Sequence, residues 1–134
     1  MKILPWNRAL TDFDIIKIVE KTPLINTYFR GVFSRDEITL SLKQPRKVEC
    51  SIINLDVKEG TGTHWTAYFK SGNNVYYYDS FGNLPPPKEL VAYFSRGEEI
   101  FYNRNQDQEF NSIICGHLCL YFLYKIICLY ENIL

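Results

Sequence analysis

One stretch near the C-terminus constrains this chain more than any other: Ser112–Leu129, SIICGHLCLYFLYKIICL, is almost wholly apolar. A helix that is apolar on every side lies either in the middle of a protein or in a bilayer. The run Ile113–Tyr130 is 18 residues long, the lower limit for a spanning helix, yet it holds Gly116, His117 and Lys125. A Lys near the centre of a spanning helix costs about 2.5–3.5 kcal/mol on insertion scales. The segment is therefore read as a buried core helix that aims its few polar groups into a site, with no membrane role. The 134 residues are expected to form one domain, 1–134, able to bury its own core without disulfides or a structural metal.

Charge and cysteine usage narrow the classes further. Fifteen Lys plus Arg balance 15 Asp plus Glu, so nucleic acid is not indicated as a partner, although a small local basic patch stays open. Cys50, Cys115, Cys119 and Cys128 follow a start, MKILPWNR, that is far short of a signal-peptide core, which argues for reduced thiols inside the cell, in cytoplasm or nucleus. No metal is expected. Cys115, His117 and Cys119 fall in a helical segment where residues two apart point away from each other, and the chain has no CxxC pair.

The remaining elements follow from local pattern. Thr11 with Asp14 ahead of Ile15, Ile16, Ile18 and Val19 predicts a capped helix over 12–21 that stops before Pro23. Leu24–Arg46 reads as mixed loop and short strand. Lys47–Leu55, rich in apolar and β-branched residues without alternation, suits a strand buried on both faces. Glu59-Gly60-Thr61-Gly62 marks a turn, Pro85–Pro87 leads into a short helix over Lys88–Phe94, Glu99–Tyr102 is a candidate strand, and Asn103–Asn111 is polar loop.

Thr63–Phe69 and Val75–Asp79 form an aromatic-rich hairpin signature around Lys70-Ser71-Gly72-Asn73-Asn74. Its register decides the chemistry. A two-residue turn at Ser71–Gly72 pairs Tyr68 with Val75, Thr66 with Tyr77 and His64 with Asp79. A four-residue turn instead sets His64 opposite Phe81, with Asp79 a diagonal neighbour on the same face. Either way an imidazole and a carboxylate come together, two thirds of a nucleophilic machine. Cys115 supplies the third part. It opens the apolar helix behind Asn111-Ser112, which can cap it, and a helix N-terminus favours a thiolate and offers N–H donors to an oxyanion. Each residue also has an ordinary explanation: a packed histidine beside Trp65, a turn aspartate, a core cysteine, which is how Cys50, Cys119 and Cys128 are read.

Three stretches carry a resemblance: Gly62-Thr63-His64-Trp65-Thr66-Ala67, then Tyr78-Asp79-Ser80-Phe81-Gly82, then Gln108-Glu-Phe-Asn111-Ser112-Ile-Ile-Cys115-Gly116. In order and spacing they resemble the adenovirus proteinase (adenain) family and, more distantly, the SUMO-specific and ubiquitin-like-protein proteases. The resemblance implies an α+β fold, a mixed sheet packed against helices with Cys115 at the N-terminus of a buried central helix. It implies a cysteine peptidase in which Cys115 is the nucleophile, His64 the general base and acid, Asp79 the group orienting His64, and Gln108 an oxyanion-hole donor. Gln106 competes for that last role, but Gln108 has the offset from Cys115 that the family pattern asks for. Trp65 either packs into the core, as strand alternation suggests, or walls a substrate channel fitted to glycine-containing sites. Because the chain ends 19 residues after Cys115, a minimal version of the fold is expected.

Neither the disulfide-linked peptide nor the DNA that activates adenain is carried over, so no cofactor is expected. The leading expectation is a monomeric endopeptidase that processes structural precursors of a virus or virus-like element, in the infected cell or packaged in the virion. The competing ones are an isopeptidase acting on ubiquitin-like conjugates, an acyltransferase using the same triad, and a non-catalytic interaction module that keeps the fold.

Overall fold

The computed structural model describes residues 1–56, 64–109 and 112–133. The turn expected at Glu59–Gly62, the start of the hairpin at Thr63, and Asn111 lie outside the described residues.

Thr11 opens α1 (Asp12–Glu20) with a capping box: its hydroxyl accepts the Asp14 N–H at 3.1 Å, and the Asp14 carboxylate accepts the Thr11 N–H at 2.9 Å. The following region holds more regular structure than its sequence suggests, namely α2 (Pro23–Asn26), β1 (Phe29–Ser34), a 3₁₀ turn (Arg35–Glu37) and α3 (Ile38–Leu42). These helices are too short to display a period. Tertiary burial of Ile25, Ile38 and Leu42 holds them instead.

Among the described residues the strands form one mixed sheet in the order β1-β2-β3-β4-β5, with β2 (Val48–Asn54), β3 (Trp65–Ser71), β4 (Asn74–Tyr78) and β5 (Glu99–Tyr102). β1 runs parallel to β2 and β5 parallel to β4, while β2, β3 and β4 are mutually antiparallel neighbours. Both faces are covered, which is why β2 lacks alternation. Ile52 turns toward a core shared with Ile15, Val19, Leu120 and Leu123, whereas Ile53 turns toward Ile38, Val75, Leu90 and Phe94 beneath α3 and α4 (Lys88–Tyr93). A charged anchor joins the second layer to the sheet. Fully buried Glu49 on β2 accepts hydrogen bonds from the Tyr68 hydroxyl at 2.6 Å and from the Tyr93 hydroxyl of α4 at 2.9 Å, and it pairs with Arg30 at 3.3 Å.

The apolar C-terminal segment is α5 (Cys115–Tyr130), and it packs along β3. Leu120, Leu123 and Ile127 are fully buried, each burial worth about 1.5–3 kcal/mol. The expectation of burial on every side is corrected: Tyr121 is 40% and Leu129 59% exposed, and Lys125 also faces outward, because only one stripe of the helix meets the sheet. No helix among the described residues is long and apolar enough to cross a membrane.

Candidate active site

The hairpin register places the first two groups. Ser71 pairs with Asn74 and Ala67 with Tyr78, so the tight turn is Gly72–Asn73 rather than Ser71–Gly72. Continued outward, this register sets His64 opposite Phe81 and leaves Asp79 diagonal to it. That overturns the direct His64–Asp79 pairing and matches the second expected register, reached through a shorter turn. The Phe81 ring then stacks on the imidazole, with centroids 4.1 Å apart and planes 2° from parallel. The diagonal is short enough for chemistry: His64 Nε2 lies 2.8 Å from Asp79 Oδ1.

Asp79 is 1% exposed and held from two sides. Its Oδ1 also accepts the Phe81 N–H at 3.0 Å, so one oxygen fixes both the His64 imidazole and the backbone of the residue whose ring stacks on it. Asn103, just beyond β5, grips the Asp79 backbone at both ends: Asp79 N–H donates to Asn103 Oδ1 at 2.9 Å, and Asn103 Nδ2 donates to Asp79 O at 2.7 Å. Sequence reasoning missed Asn103. A polar residue after a strand in a polar loop carries no periodic signal, and only the parallel β4–β5 pairing brings it beside the acid.

Cys115 is the first residue of α5. Ser112 was expected to cap that helix with Asn111, but Ile114 occupies the N-cap position, no side chain among the described residues caps it, and the Ser112 hydroxyl reaches only the Ile114 N–H, at 3.4 Å. The helix starts too late for Ser112 to reach its first turn. The Cys115 sulfur accepts the Trp65 N–H at 3.4 Å, and His64 hydrogen-bonds to the Cys115 side chain. With Nε2 turned to Asp79, Nδ1 is the ring nitrogen left for the sulfur. His64, Asp79 and Cys115 therefore converge, the imidazole in the middle.

Electrostatics follow from that order. Burial of the ring opposes its charge, but the hydrogen bonds it makes to Asp79 and Cys115 outweigh that and raise the His64 pKa from 6.5 to about 9. A raised basic group stabilises the fold fully below its unfolded pKa and loses that contribution as pH climbs through its folded value. The window here is 6.5 to about 9. Burial pushes the thiols of Cys50 and Cys119 upward.

Gln108 is 5% exposed and bridges the acid turn to the start of α5. Its Oε1 accepts from the Ser80 hydroxyl, its Nε2 donates to Ser112 O at 3.2 Å, and its backbone N–H donates to Ser80 O at 3.1 Å. Gln106 is used otherwise, its amide donating to Gln108 O at 2.8 Å. The loop lies so close to the acid turn that only glycine fits at 82: φ is +80°, and a Cβ there would fall 2.4 Å from Asn105 O. A second close approach lies beside the thiol. A Cβ on Gly116 would sit 3.2 Å from both Leu10 Cβ and Trp65 Cδ1. Trp65 is only 6% exposed and its indole N–H donates to Leu10 O at 2.9 Å, so it packs as a core residue.

No family model matches the chain. Over 60 residues, 43% of its length, it is 35% identical to the protease of bovine adenovirus 2. In three dimensions the ASFV protease superposes on 90% of the chain with a TM-score of 0.65 at 19% identity. The chain has the fold of the viral proteases. The SUMO protease Ulp1, crystallised with its catalytic cysteine oxidised, shares this ubiquitin-like-protease fold over 90% of the chain with a TM-score of 0.54 at 18% identity. So does the central domain of an uncharacterised Legionella pneumophila protein, with a TM-score of 0.61 at 13% identity over 92% of the chain. The chain spans only part of these relatives: the match covers 28% of the bovine adenovirus protein, and the superpositions cover 58%, 67% and 78% of the three structures.

Asn103 acts as a positioning residue for the Asp79–His64 pair. Replacing it by Ala is expected to lower the His64 pKa in an NMR titration of the imidazole, because Asp79 loses both backbone anchors. A stability loss of about 1–3 kcal/mol for the unsatisfied backbone groups accompanies it. An unchanged His64 titration in a folded Asn103→Ala protein refutes the positioning role.

Proposed function

We propose that this chain is a cysteine endopeptidase that processes viral or virus-like-element precursor proteins inside the host cell. One observation carries the reading: a buried carboxylate, an imidazole and a helix-start thiol are joined in that order by hydrogen bonds. The steps balance on these residues. The Cys115 sulfur attacks the scissile carbonyl while its proton rests on His64, and the developing oxyanion takes donors from the Cys115 N–H and the Gln108 amide. The imidazolium then protonates the leaving amine, leaving a thioester. Water, deprotonated by His64, attacks that thioester and releases the acid and the free thiol. The sequence likeness to an adenovirus protease supports a viral peptidase; the substrates proposed for it are precursor proteins cut at glycine-containing sites.

The fold shared with a SUMO protease supports a second substrate class, ubiquitin-like conjugates. A panel separates them: precursor-derived peptides and ubiquitin-like conjugates are incubated with the protein and the products read by mass spectrometry. Cleavage of the glycine-containing precursor peptides is the expected result, and cleavage of the conjugates alone would sink the endopeptidase reading. Within the same assay Gln108→Ala is expected to lower turnover about 10²–10³-fold, the usual loss for one oxyanion donor. Gln106→Ala should do far less. An inverted ranking would move the donor role to Gln106.

A further inference from the structure

We propose that the cleft between the N-terminal strap, residues 1–10, and the α1–α2 corner is a docking site for an acidic peptide segment bearing a bulky apolar side chain. The cleft has a volume of about 600 Å³, within the range of small-ligand pockets, and its apolar lining comes from half-buried Ile18 and Leu24, Tyr124 of α5 and the exposed Leu4. Its rim carries Lys2, Lys17 and Lys21. The carboxylate on the lining, Asp14, is already engaged by Arg8 at 2.6 and 3.1 Å and by the Thr11 N–H. In a chain of zero formal net charge, this is a local cationic excess around an apolar hollow.

That combination selects the occupant. Three ammonium groups on flexible stems suit separate carboxylates, and the hollow takes the apolar side chain between them. A nucleic acid would instead need a row of phosphate contacts along a basic stripe, which the balanced charge does not supply. The strap links the cleft to the candidate active site. Next to Leu4, Pro5 O accepts the His117 Nε2–H at 2.6 Å, and Trp6 stacks on the His117 ring at 4.8 Å. Farther along, Leu10 covers Gly116 and accepts the Trp65 indole N–H. A segment seated on Lys2 and Leu4 thus holds the same strap that closes over the residue after Cys115.

The test reads binding, so it stands apart from the peptidase reading; only the coupling to the active site rests on that reading. Fluorescence anisotropy of the full chain is measured with four labelled probes. They are a peptide with one Phe flanked by Glu and Asp, its Gln/Asn counterpart, the acidic peptide with Gly for Phe, and single-stranded DNA of equal formal charge. The acidic Phe peptide is expected to bind saturably, at least about tenfold more tightly than any of the other three, and K17E/K21E should weaken it about tenfold or more. K43E/K47E, with the same change in net charge at a different place, should leave it unchanged. Lys17 and Lys21 are exposed, and a matching thermal melt confirms that the variant is folded. The proposal is overturned by equal binding of the DNA, by equal binding of a peptide with Gly for Phe, or by a folded K17E/K21E protein that binds as well as the native one.

Discussion

A peptide ending in a thiol-directed electrophile is expected to modify the native protein once, at Cys115, and not to modify Cys115→Ala at all. Burial does not single out this cysteine: it is 4% exposed and Cys128 is 3% exposed. The difference lies in what faces the sulfur. Cys115 has the His64 hydrogen bond and stands at the N-terminal end of α5, the positive end of the helix dipole. Cys50 and Cys119 lie fully inside the first core with their thiols pushed upward by burial, which keeps them inert. Loss of the nucleophile from a cooperating triad costs about 10⁶ in kcat, so peptide cleavage by Cys115→Ala should fall to background. Mass spectrometry of the labelled protein checks the first half and turnover of the precursor peptide the second. A label on Cys128, or a Cys115→Ala protein that still cleaves, would remove Cys115 from the chemistry.

The contrast between Cys115 and its neighbours also explains what could be read from residues alone. The three site groups lie on elements with strong local signals: a hairpin with a Gly-Asn turn and an apolar helix. Their convergence could thus be anticipated from pattern, while the register left two arrangements open. The right one was decided by where the turn residues fall, Gly72–Asn73 and not Ser71–Gly72, a shift that a polar, glycine-containing linker does not encode strongly. Side-chain alternation along β3 placed Trp65 in the core, as observed, because period 2 is a local property. By contrast, α2 and α3 owe their existence to tertiary burial, and Asn103 meets Asp79 only through the pairing of β4 with β5. Neither leaves a local trace. The helix start moved for a similar reason: Ser112 is a good cap by type, but its backbone N–H donates to Glu109 O and its carbonyl takes the Gln108 amide, so it belongs to the preceding loop.

Asp79→Asn should separate orientation from mere packing, since the two side chains have nearly the same shape. In the native site Oδ1 accepts from both His64 Nε2 and the Phe81 N–H, while Oδ2 is buried without a hydrogen-bond partner among the described residues. An asparagine keeping its oxygen on the Oδ1 side must bury its NH₂ where Oδ2 was, leaving donors unsatisfied. If the amide flips, the NH₂ faces the Phe81 N–H and forces the imidazole into the wrong tautomer. Both arrangements are costly, and the analogous loss in a Ser-His-Asp triad is about 10⁴ in kcat. The pH dependence gives the sharper readout. His64 must be an imidazolium to protonate the leaving amine, so native activity should fall as pH rises through about 9. Without the carboxylate the folded-state pKa drops, and the alkaline limb should move down toward 6.5, the ordinary value for histidine. The stability window between those two values should flatten in the same variant, because the proton is no longer held more tightly in the folded state. An Asp79→Asn protein whose alkaline limb stays near pH 9 would show that Asp79 does not set the protonation of His64, whatever its effect on rate.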